Sequence, residues 1–466
     1  MSFFRPKNGT HMTDMTTGSP YRLIVMFSIP LLVGNIFQQL YNMVDSIVVG
    51  NWIGEKALAA VGTGFPIIFM MSSLFMGIGT GATVMLSQYY GAKDFDRVRK
   101  TVSTIYTAMI VGVVPLTLIG VFTAGPLLKL IQVPDDGTLE MAKIYMIVIF
   151  IGMIGNLGFN VNAGILQGFG DSRTSLLFLL IACIINIVLD ILFTVVFSMG
   201  VFGVALATII GQVCSWLFGI YYINKHYGII HISIFKFEFD KELFIKAMKL
   251  GIPSGIQQAL FSIGIMLMQS LVNGYGSSFM AGFNGANKID TFAFMPIQSF
   301  TNAVTTYTGQ NVGAGDYKRV KLGMRAGCVL SVGACVAIGA IIFPLSGVLM
   351  KMFNQNPEVI DAGVNYLHWV LPFYSLLALN FMYNSVMRGA GEMVVPMISS
   401  FVGLWLARIP AAYLLAHFLG RDYIFLSYTV GWIFGILIAA IYYYSGKWKN
   451  KSVVAHPPAE EAAAAE

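Results

Sequence analysis

Two stretches of this 466-residue sequence carry one motif at a separation of 222 residues: QYYGAKDFDRV at 88–98 and QNVGAGDYKRV at 310–320. Three further pairs keep nearly the same separation: Ile29-Pro30 with Ile252-Pro253, Lys129 with Lys351, and Gly168-Phe169-Gly170-Asp171 with Gly389-Ala390-Gly391-Glu392. Agreement at four places around one steady offset indicates an internal repeat, which constrains the whole architecture. The chain is therefore predicted to contain two homologous halves.

The composition predicts that both halves lie in a lipid bilayer. Hydrophobic residues make up 56% of the chain, charged residues only 11%, and the mean hydropathy is +0.73. A soluble domain carries about 25% charged residues, so a water-soluble fold is excluded. Twelve apolar segments, from 21–48 to 423–445, reach the roughly 20 residues that cross a bilayer. The predicted fold class is an all-α polytopic membrane protein with 12 transmembrane helices in two homologous six-helix lobes.

Lysine and arginine predict the orientation, because cytoplasmic loops hold the excess of both. With the N-terminus inside, the cytoplasmic segments hold 21 of the 28 basic residues and the outer loops hold five. Lys288 and Arg408 complete the count and lie within predicted spans. Six helices per half make the repeat parallel. We expect both termini in the cytoplasm and no nucleic-acid partner, because topology accounts for the net charge of +6.

The repeat also predicts the domain boundaries. The predicted division is an N-terminal six-helix lobe at 15–224, a cytoplasmic linker at 225–246 and a C-terminal six-helix lobe at 247–447. Gly9-Thr10-His11-Met12 is typical of a cloning scar, and the last residues are low in complexity. We expect 1–14 to be a tag or disordered, and 448–466 to be a disordered tail.

Several polar residues lie inside the predicted spans, where an ionisable group costs about 2.5–3.5 kcal/mol on insertion scales. Asp45 lies midway along the first span, and Asp190 lies in the fifth. Asn186 precedes Asp190 by four residues, which places both on one helix face. A buried carboxylate pair can hold a proton near neutral pH, or bind Na⁺ with amide and hydroxyl oxygens completing the shell. Hydrogen bonding between helices is the structural alternative.

The second half lacks this pair, because Met268 stands opposite Asp45 and Ala411 stands opposite Asp190. This asymmetry favours a specialised site in the first lobe. The second half has a polar outlier of its own in Asp290. Asp290 is a candidate for substrate binding or gating, or for a structural pair with a basic residue such as Arg408.

The motifs together resemble those of the multidrug and toxic compound extrusion (MATE) family. The resemblance covers about 15–447 and rests on Ile29-Pro30, Gln38-Gln39, Asp45, Gln88 with Gly91-Ala92, Gly168-Phe169-Gly170-Asp171, and their second-half partners. It implies export of organic, mostly cationic, compounds by antiport with H⁺ or Na⁺ through alternating access. Asp190 points to the DinF-like and MepA-like branch. The NorM-like branch has a Glu in helix seven, where this chain has Gln257 and Gln258.

The resemblance also implies site residues. Residues matching Asp45, Asn186, Asp190 and Thr208 cluster in a first-lobe cavity of the family, which makes these four the candidate ion-coupling residues. Asp45, Asn186 and Asp190 are the candidate metal ligands if Na⁺ is the coupling ion. The candidate substrate-binding residues are Gln38, Gln39, Tyr41, Met43, Gln257 and Asp290. We expect no catalytic residue and no cofactor besides the coupling ion. The expected partners are organic cations and the bilayer, for a monomer in a prokaryotic plasma membrane.

Two alternatives come from other classes of protein. Gly168-Phe169-Gly170-Asp171 fits the GxGD pattern of intramembrane aspartyl proteases, but the repeat replaces Asp171 with Glu392. The motif is therefore typical of a turn whose acid caps a helix. The absence of a P-loop, an HExxH motif and a nucleophile elbow argues against ATP-driven transport and against an enzyme. A lipid-linked oligosaccharide flippase of the same superfamily remains as the second alternative, because its architecture is related. A channel fits buried carboxylates less well.

Overall fold

The computed structural model describes residues 12–131, 133–234 and 236–454, and within these ranges the chain is helical and contains no strand. The α-helices are α1 (Pro20–Val48), α2 (Glu55–Gly91), α3 (Phe95–Leu130), α4 (Thr138–Ile151), α5 (Met153–Gly168), α6 (Ser172–Ile191), α7 (Gly200–His226), α8 (Lys241–Asn273), α9 (Ser277–Gly313), α10 (Tyr317–Lys351), α11 (Pro357–Val370), α12 (Tyr374–Gly389), α13 (Val394–Phe401), α14 (Ile409–Phe418) and α15 (Leu426–Tyr444). Short π-helical turns are Val49–Ile53, Leu192–Val196 and Val402–Arg408, and 3₁₀ turns are Leu371–Phe373, Arg421–Tyr423 and Lys447–Lys451.

Joining the helices that continue one another gives twelve spans, as predicted. α4 and α5 form one span with a bend of 51°, α11 continues into α12, and α13 continues into α14. Among the described residues, ten segments are long and apolar enough to cross a membrane, and the bent α4–α5 pair makes eleven. The twelfth is α9, whose 37 residues include Lys288 and Asp290. These charged side chains lower its hydropathy, because each is costly in hydrocarbon.

The internal repeat is visible in the lengths of the helices. α2 and α9 each have 37 residues, α4 and α11 each have 14, and α5 and α12 each have 16. α3 and α10 differ by one, at 36 and 35 residues. Because helix length sets the reach of a span, these matches mean that the two halves repeat one design.

The repeated motif at 88–98 and 310–320 is the tight turn between two long helices. The Asp94 carboxylate accepts the backbone N–H of Arg97 at 3.1 Å and begins α3, while Asp316 accepts that of Arg319 at 2.9 Å and begins α10. The residue before each acid has a left-handed backbone, with φ of 60° at Lys93 in the first copy. The second copy has Gly315 there, at φ 76°. An acidic N-cap after a left-handed residue explains why this pattern occurs twice.

The second repeated turn also begins a helix. Asp171 accepts the backbone N–H of Thr174 at 2.9 Å and a hydrogen bond from the Tyr227 hydroxyl. Its counterpart Glu392 accepts the backbone N–H of Val394 at 2.9 Å. The predicted role of the acid as a helix cap is confirmed, and the alternative of a protease acid is excluded because the carboxylate is held by structural hydrogen bonds.

Close packing divides the chain into two compact units. The first lobe contains Val33–Gly255, and the second lobe contains Met15–Leu32 together with the chain from Ile256 onward. The division falls within α1 and α8, in each case two residues after a proline, Pro30 or Pro253. It differs from the predicted boundaries, because the start of α1 packs in the second lobe and the predicted linker belongs to the first.

Each lobe has its own apolar core. In the first lobe, Tyr145 and Val204 belong to a cluster built from α2, α4 and α7. In the second lobe, one cluster surrounds Tyr366, and another contains Met15 and Trp448. These cores fix the helix faces that carry the polar residues described below.

The segment before α1 is bound within the second lobe. The N–H of Met15 donates to Oε1 of Gln310 at 2.8 Å, and Nδ2 of Asn311 donates to the Met15 carbonyl at 3.1 Å. Nη2 of Arg319 donates to the carbonyl oxygens of Met15 at 3.2 Å and of Gly18 at 3.0 Å. The Met15 side chain is fully buried. The second copy of the repeated motif therefore binds this segment as well as turning the chain.

The predicted artificial ends lie largely outside the described residues, which exclude 1–11 and 455–466. The predicted tail from 448 begins too early, because Lys447–Lys451 forms a 3₁₀ turn. Trp448 in this turn is buried and stacks on Tyr443, with ring centroids 5.7 Å apart. An indole in the apolar core keeps these residues ordered.

Candidate functional site

Two acids of the first lobe lie at similar helix ends. Asp45 is in the last turn of α1, and Asp190 is in the last turn of α6. A π-helical turn follows each helix directly, at Val49–Ile53 and Leu192–Val196. Such turns within α-helices often mark functional positions. The two carboxyl groups interact electrostatically, so the helix ends bring both acids into one cluster.

Asn186 and Thr208 join α6 to α7 beside these acids. Nδ2 of Asn186 donates to Oγ1 of Thr208 at 3.3 Å, and Thr208 donates to the Val204 carbonyl at 3.1 Å. Gly211 makes this approach possible, because a Cβ there would lie 3.2 Å from the Cβ of Asn186. One amide N–H of Asn186 thus joins α6 to α7, the Thr208 hydroxyl bonds within α7, and the amide oxygen of Asn186 stays available.

Oxygen atoms without a donor are the main feature of the cluster. Within the described part of the chain, Oδ1 of Asp45, Oδ1 of Asn186 and both carboxylate oxygens of Asp190 are buried without a hydrogen bond of ordinary geometry, and the Asn186 amide interacts with the Asp190 carboxylate. Asp190 has no exposed surface. A buried acceptor without a donor is costly, so this group of oxygens is suited to a proton or a small cation.

The electrostatics of the cluster favour neutralisation. No lysine or arginine among the described residues contributes to the electrostatics at Asp45 or Asp190, and each acid is surrounded by low-dielectric protein. Two ionised carboxylates would repel one another there and would both be desolvated. A bound H⁺ removes one charge and converts that carboxyl into a donor. A bound Na⁺ would use the same oxygens as ligands.

Two tyrosines complete the cluster. Tyr41, a candidate substrate-binding residue, interacts with the Thr208 side chain and electrostatically with both acids. Tyr145 on α4 is buried and interacts electrostatically with Asp45 and Asp190. The sequence did not single out Tyr145, because tyrosine in a membrane helix is also typical of the interface with water. Tyr145 is recognisable only from its electrostatic interactions with acids that lie on other helices.

The other candidate residues of α1 are more exposed. Gln38 and Met43 are exposed on the helix, and 61% of the Met43 surface is accessible. Gln39 accepts a hydrogen bond from Nδ2 of Asn42 at 3.4 Å, on its own helix. These three side chains lie on the same helix as Asp45, within one to two turns of it.

The remaining two candidates lie in the second lobe, and both are engaged by other helices. Gln257 donates through Nε2 to the Pro396 carbonyl at 3.1 Å and to Ser400, and accepts from Arg388 at 2.8 Å. All of its amide groups are therefore used between helices. Arg388, the donor to Gln257, lies in the last turn of α12.

Asp290 belongs to a network of polar side chains, of which the sequence suggested only a pair with Arg408. The Tyr374 hydroxyl donates to Oδ1 of Asp290, and the Arg408 guanidinium interacts electrostatically with the same carboxyl. Arg408 lies over the ring of Tyr428, 3.2 Å from its centroid. The cation–π contact and the electrostatic attraction of Asp290 stabilise this guanidinium, whose Nε has no acceptor among the described residues. The geometry matches the structural alternative for Asp290.

Comparison with known proteins identifies relatives along most of the chain. A family model, MatE, matches residues 30–192 and 253–414, and the two matches begin at the paired prolines of the repeat. The chain is 31% identical over 441 residues to the probable multidrug resistance protein YpnP of Bacillus subtilis, covering 94% of this chain and 97% of that protein. It is 22% identical over 375 residues to the multidrug export protein MepA of Staphylococcus saprophyticus, covering 80% and 82%.

Solved structures share the fold. A crystal structure of a protein described as MATE in the bent conformation superimposes with a TM-score of 0.86 at 24% identity, covering 96% of this chain and all of that one. A second, described as MATE in the straight conformation, has the same TM-score and identity and covers 94% and 98%. At this identity the likeness concerns the fold alone.

Proposed function

This chain belongs to the MatE family, and from that premise we propose that it is a secondary active multidrug exporter that exchanges organic, mostly cationic, compounds for H⁺ or Na⁺ by alternating access. Relatives whose names include multidrug resistance or multidrug export support the general function of multidrug transport. The exchange with an ion and the preference for cations rest on the residues of this chain.

The observation that carries the proposal is the group of unpartnered oxygens around Asp45 and Asp190 in the first lobe. A buried acid that serves only stability is normally paired, because an unpaired charge in low dielectric is strongly destabilising. An acid that must release its partner in every cycle cannot have a permanent one. The lack of a fixed donor or cation therefore supports a role in reversible ion binding.

Competition for one negative charge would provide the coupling. An organic cation and a coupling ion each stabilise the ionised acids, and both cannot neutralise the same charge together. Binding of H⁺ or Na⁺ therefore favours release of the organic cation, and the linkage is reciprocal. Asn186 and Thr208 position the acids and add neutral oxygens, which a sodium ion would use and a proton would not require.

Transport in liposomes tests the proposal. The purified protein is reconstituted, and the movement of the fluorescent cation rhodamine 123 is followed after an imposed pH gradient and, separately, a sodium gradient. One gradient should drive dye movement, and Asp190→Asn should abolish that coupling. Asp96→Asn is the matched control, because this acid is 85% exposed at the start of α3. If neither gradient moves any of several organic cations, drug export fails and the lipid-flippase alternative becomes the one to pursue.

The basic loops support a plasma-membrane topology with both termini cytoplasmic, and two complete lobes in one chain support a monomer. Single cysteines at Lys93 and at Asp136, in a cysteine-free background, report the orientation through an impermeant maleimide. We expect labelling of the Asp136 position in intact cells and of the Lys93 position only after permeabilisation. The opposite pattern would overturn this orientation. Light scattering of the purified protein gives the mass that tests the monomer.

A further inference from the structure

The end of the linker that precedes α8 is fixed against α3. The Thr107 hydroxyl donates to the Glu238 carbonyl at 3.1 Å, and the Asp240 N–H donates to Oγ1 of Thr104 at 3.1 Å. Backbone groups of two alternate residues, 238 and 240, are thus bonded to side chains of one helix. The segment therefore has a defined position on α3, although it is neither helix nor strand.

Two phenylalanines of this segment face away from the protein. Phe237 is 60% exposed and Phe239 is 52% exposed, and the bonded Glu238 lies between them. The Phe239 ring contacts that of Phe244, with ring centroids 5.1 Å apart, and half of its surface is still uncovered. Because the backbone between the two rings is fixed, both stay exposed, and contact with an apolar surrounding would stabilise them.

The segment lies on the face of α3 that contacts lipid. Thr104 and Thr107 begin a stripe along this helix, in which residues follow one another at spacings of three or four. The stripe continues in four apolar side chains that are between 52% and 75% exposed, namely Val111, Val114, Leu118 and Phe122. Apolar side chains exposed along a membrane span contact acyl chains. The segment therefore covers one end of the lipid-facing stripe.

The depth of the segment coincides with the edge of the hydrocarbon. No charged residue lies between Lys100 and Lys129, which are about 44 Å apart at the rise of an α-helix. A hydrocarbon core of about 30 Å centred between these lysines begins about 7 Å from Lys100. On the same scale Thr104 and Thr107 lie about 6 and about 11 Å from Lys100. The segment thus lies at the boundary between headgroups and acyl chains, where aromatic side chains are enriched in membrane proteins.

Lysines flank the two phenylalanines. Lys236 and Lys241 are exposed, and neither forms an ion pair within the described residues. The nearby acids are mostly engaged, because Asp240 accepts the N–H of Glu242 at 2.9 Å and Glu242 is itself in an ion pair within α8. The carboxylate of Glu238 is left against two ammonium groups, so the segment attracts anions. A lysine at this depth can extend its ammonium to the phosphates while its stem lies along apolar surface.

We propose that residues 236–241 form an interfacial anchor of the first lobe, in which Phe237 and Phe239 insert at the acyl boundary and Lys236 and Lys241 bind phospholipid phosphates. The partner is the lipid surface at this end of α3, which the proposed topology makes the cytoplasmic one. Anionic phospholipids strengthen the contact, because their headgroups carry net negative charge. The anchor does not depend on transport of any compound.

Spin labelling measures the depth of the segment directly. Phe237→Cys and Phe239→Cys each carry a nitroxide, in a background in which the four native cysteines are replaced. The protein is placed in nanodiscs that contain phosphatidylglycerol. Collision rates of the nitroxide are measured with O₂, which concentrates among acyl chains, and with a water-soluble nickel chelate. We expect O₂ to collide more often than the chelate at both positions. If the chelate collides more often at either position, the segment faces water and the anchor is overturned.

Two further labelled positions on α3 calibrate the measurement. Asp96→Cys is the water control, because this side chain is 85% exposed and lies about 12 Å nearer the helix start than Thr104. The chelate should collide more often there. Val111→Cys, at a 60% exposed position of the stripe, is the lipid control and should favour O₂. A preference for the chelate at position 111 would remove the lipid-facing stripe and the anchor with it.

The two lysines have an arm of their own. Lys236→Gln/Lys241→Gln, introduced beside the label at position 239, removes both ammonium groups, and we expect the excess of O₂ collisions to fall. Lys318→Gln/Lys321→Gln removes two exposed lysines of the second lobe and should leave the excess unchanged. Equal values for the two double variants would overturn phosphate binding by Lys236 and Lys241. No substrate enters these measurements, so their failure is distinguishable from a failure of the proposed export.

Discussion

Asp190 in the first lobe and Asp290 in the second are both acids on membrane helices, and their surroundings are opposite. Asp290 accepts from Tyr374 and interacts electrostatically with Arg408, while Asp190 has no basic residue beside it in the described chain and only the Asn186 amide as a neighbouring donor. A basic residue of the same chain is a permanent electrostatic partner for Asp290. An acid without one can exchange its partner. The two lobes share helix lengths and helix caps. They differ in whether the buried acid has a permanent partner, and this difference distinguishes a structural charge from an exchangeable one.

The largest expected effect comes from breaking the structural pair. Asp290→Asn leaves the Arg408 guanidinium buried without its acid, and we expect the free energy of unfolding to fall by about 3–5 kcal/mol. Denaturant unfolding in mixed micelles measures the loss. The double variant Asp290→Asn/Arg408→Gln removes both charges and should recover most of it. A single variant as stable as the wild type would contradict the structural role.

A smaller effect tests the caps that both lobes share. Burial alone would raise the pKa of Glu392, but hydrogen bonds from Lys451 and Tyr442 outweigh it and hold the pKa below its ordinary value of 4.5. A lowered pKa in the folded state means stability that is present at neutral pH and is lost as the pH falls through that pKa.

We therefore expect Glu392→Gln to cost about 2 kcal/mol at pH 7. The difference from the wild type should shrink as the pH is lowered below 4.5, the ordinary value for this carboxyl. Unfolding titrations over a range of pH measure this. Glu358→Gln, an exposed acid of the same lobe, serves as the control. A difference that is independent of pH would mean that the charge of Glu392 contributes nothing.

A third variant sharpens the description of the first-lobe cluster. Thr208→Val removes the acceptor of the Asn186 amide, and we expect a loss of about 1 kcal/mol in the free energy of unfolding. Thr208→Ser keeps the hydroxyl and should cost less. Equal losses for the two variants would show that the methyl group matters and the 3.3 Å hydrogen bond does not.

The smallest expected effect on stability is that of Asp190→Asn, the same chemical change as at Asp290. Asp190 has no basic partner to leave behind, so we expect no loss of stability, because the amide removes a buried charge that lacks a counter-ion. Measured beside Asp290→Asn in the same micelles, this variant tests the comparison directly. A loss as large as that of Asp290→Asn would give Asp190 a structural role and remove the basis for an exchangeable charge.

The sequence predicted the features that depend on local pattern. Span number, the internal repeat and the capping acids Asp171 and Glu392 follow from hydropathy, offsets and turn chemistry, and all are found in the fold. The π-helical turn after Asp190 could not be predicted, because one extra residue per turn leaves the hydropathy of a span unchanged. Tyr374 and Tyr145 are recognisable only through contacts between distant helices.

The binding of Met15 has a consequence for the order in which the protein is made. Its hydrogen-bond acceptor, Gln310, is 295 residues further along the chain. On the ribosome, the segment around Met15 is therefore synthesised long before Gln310, Asn311 and Arg319 exist, and it has to wait until α9 has entered the membrane. Contacts so distant in sequence form late. The second lobe is thus completed by a segment that begins at Met15, and a second half synthesised alone would lack Met15 in its core.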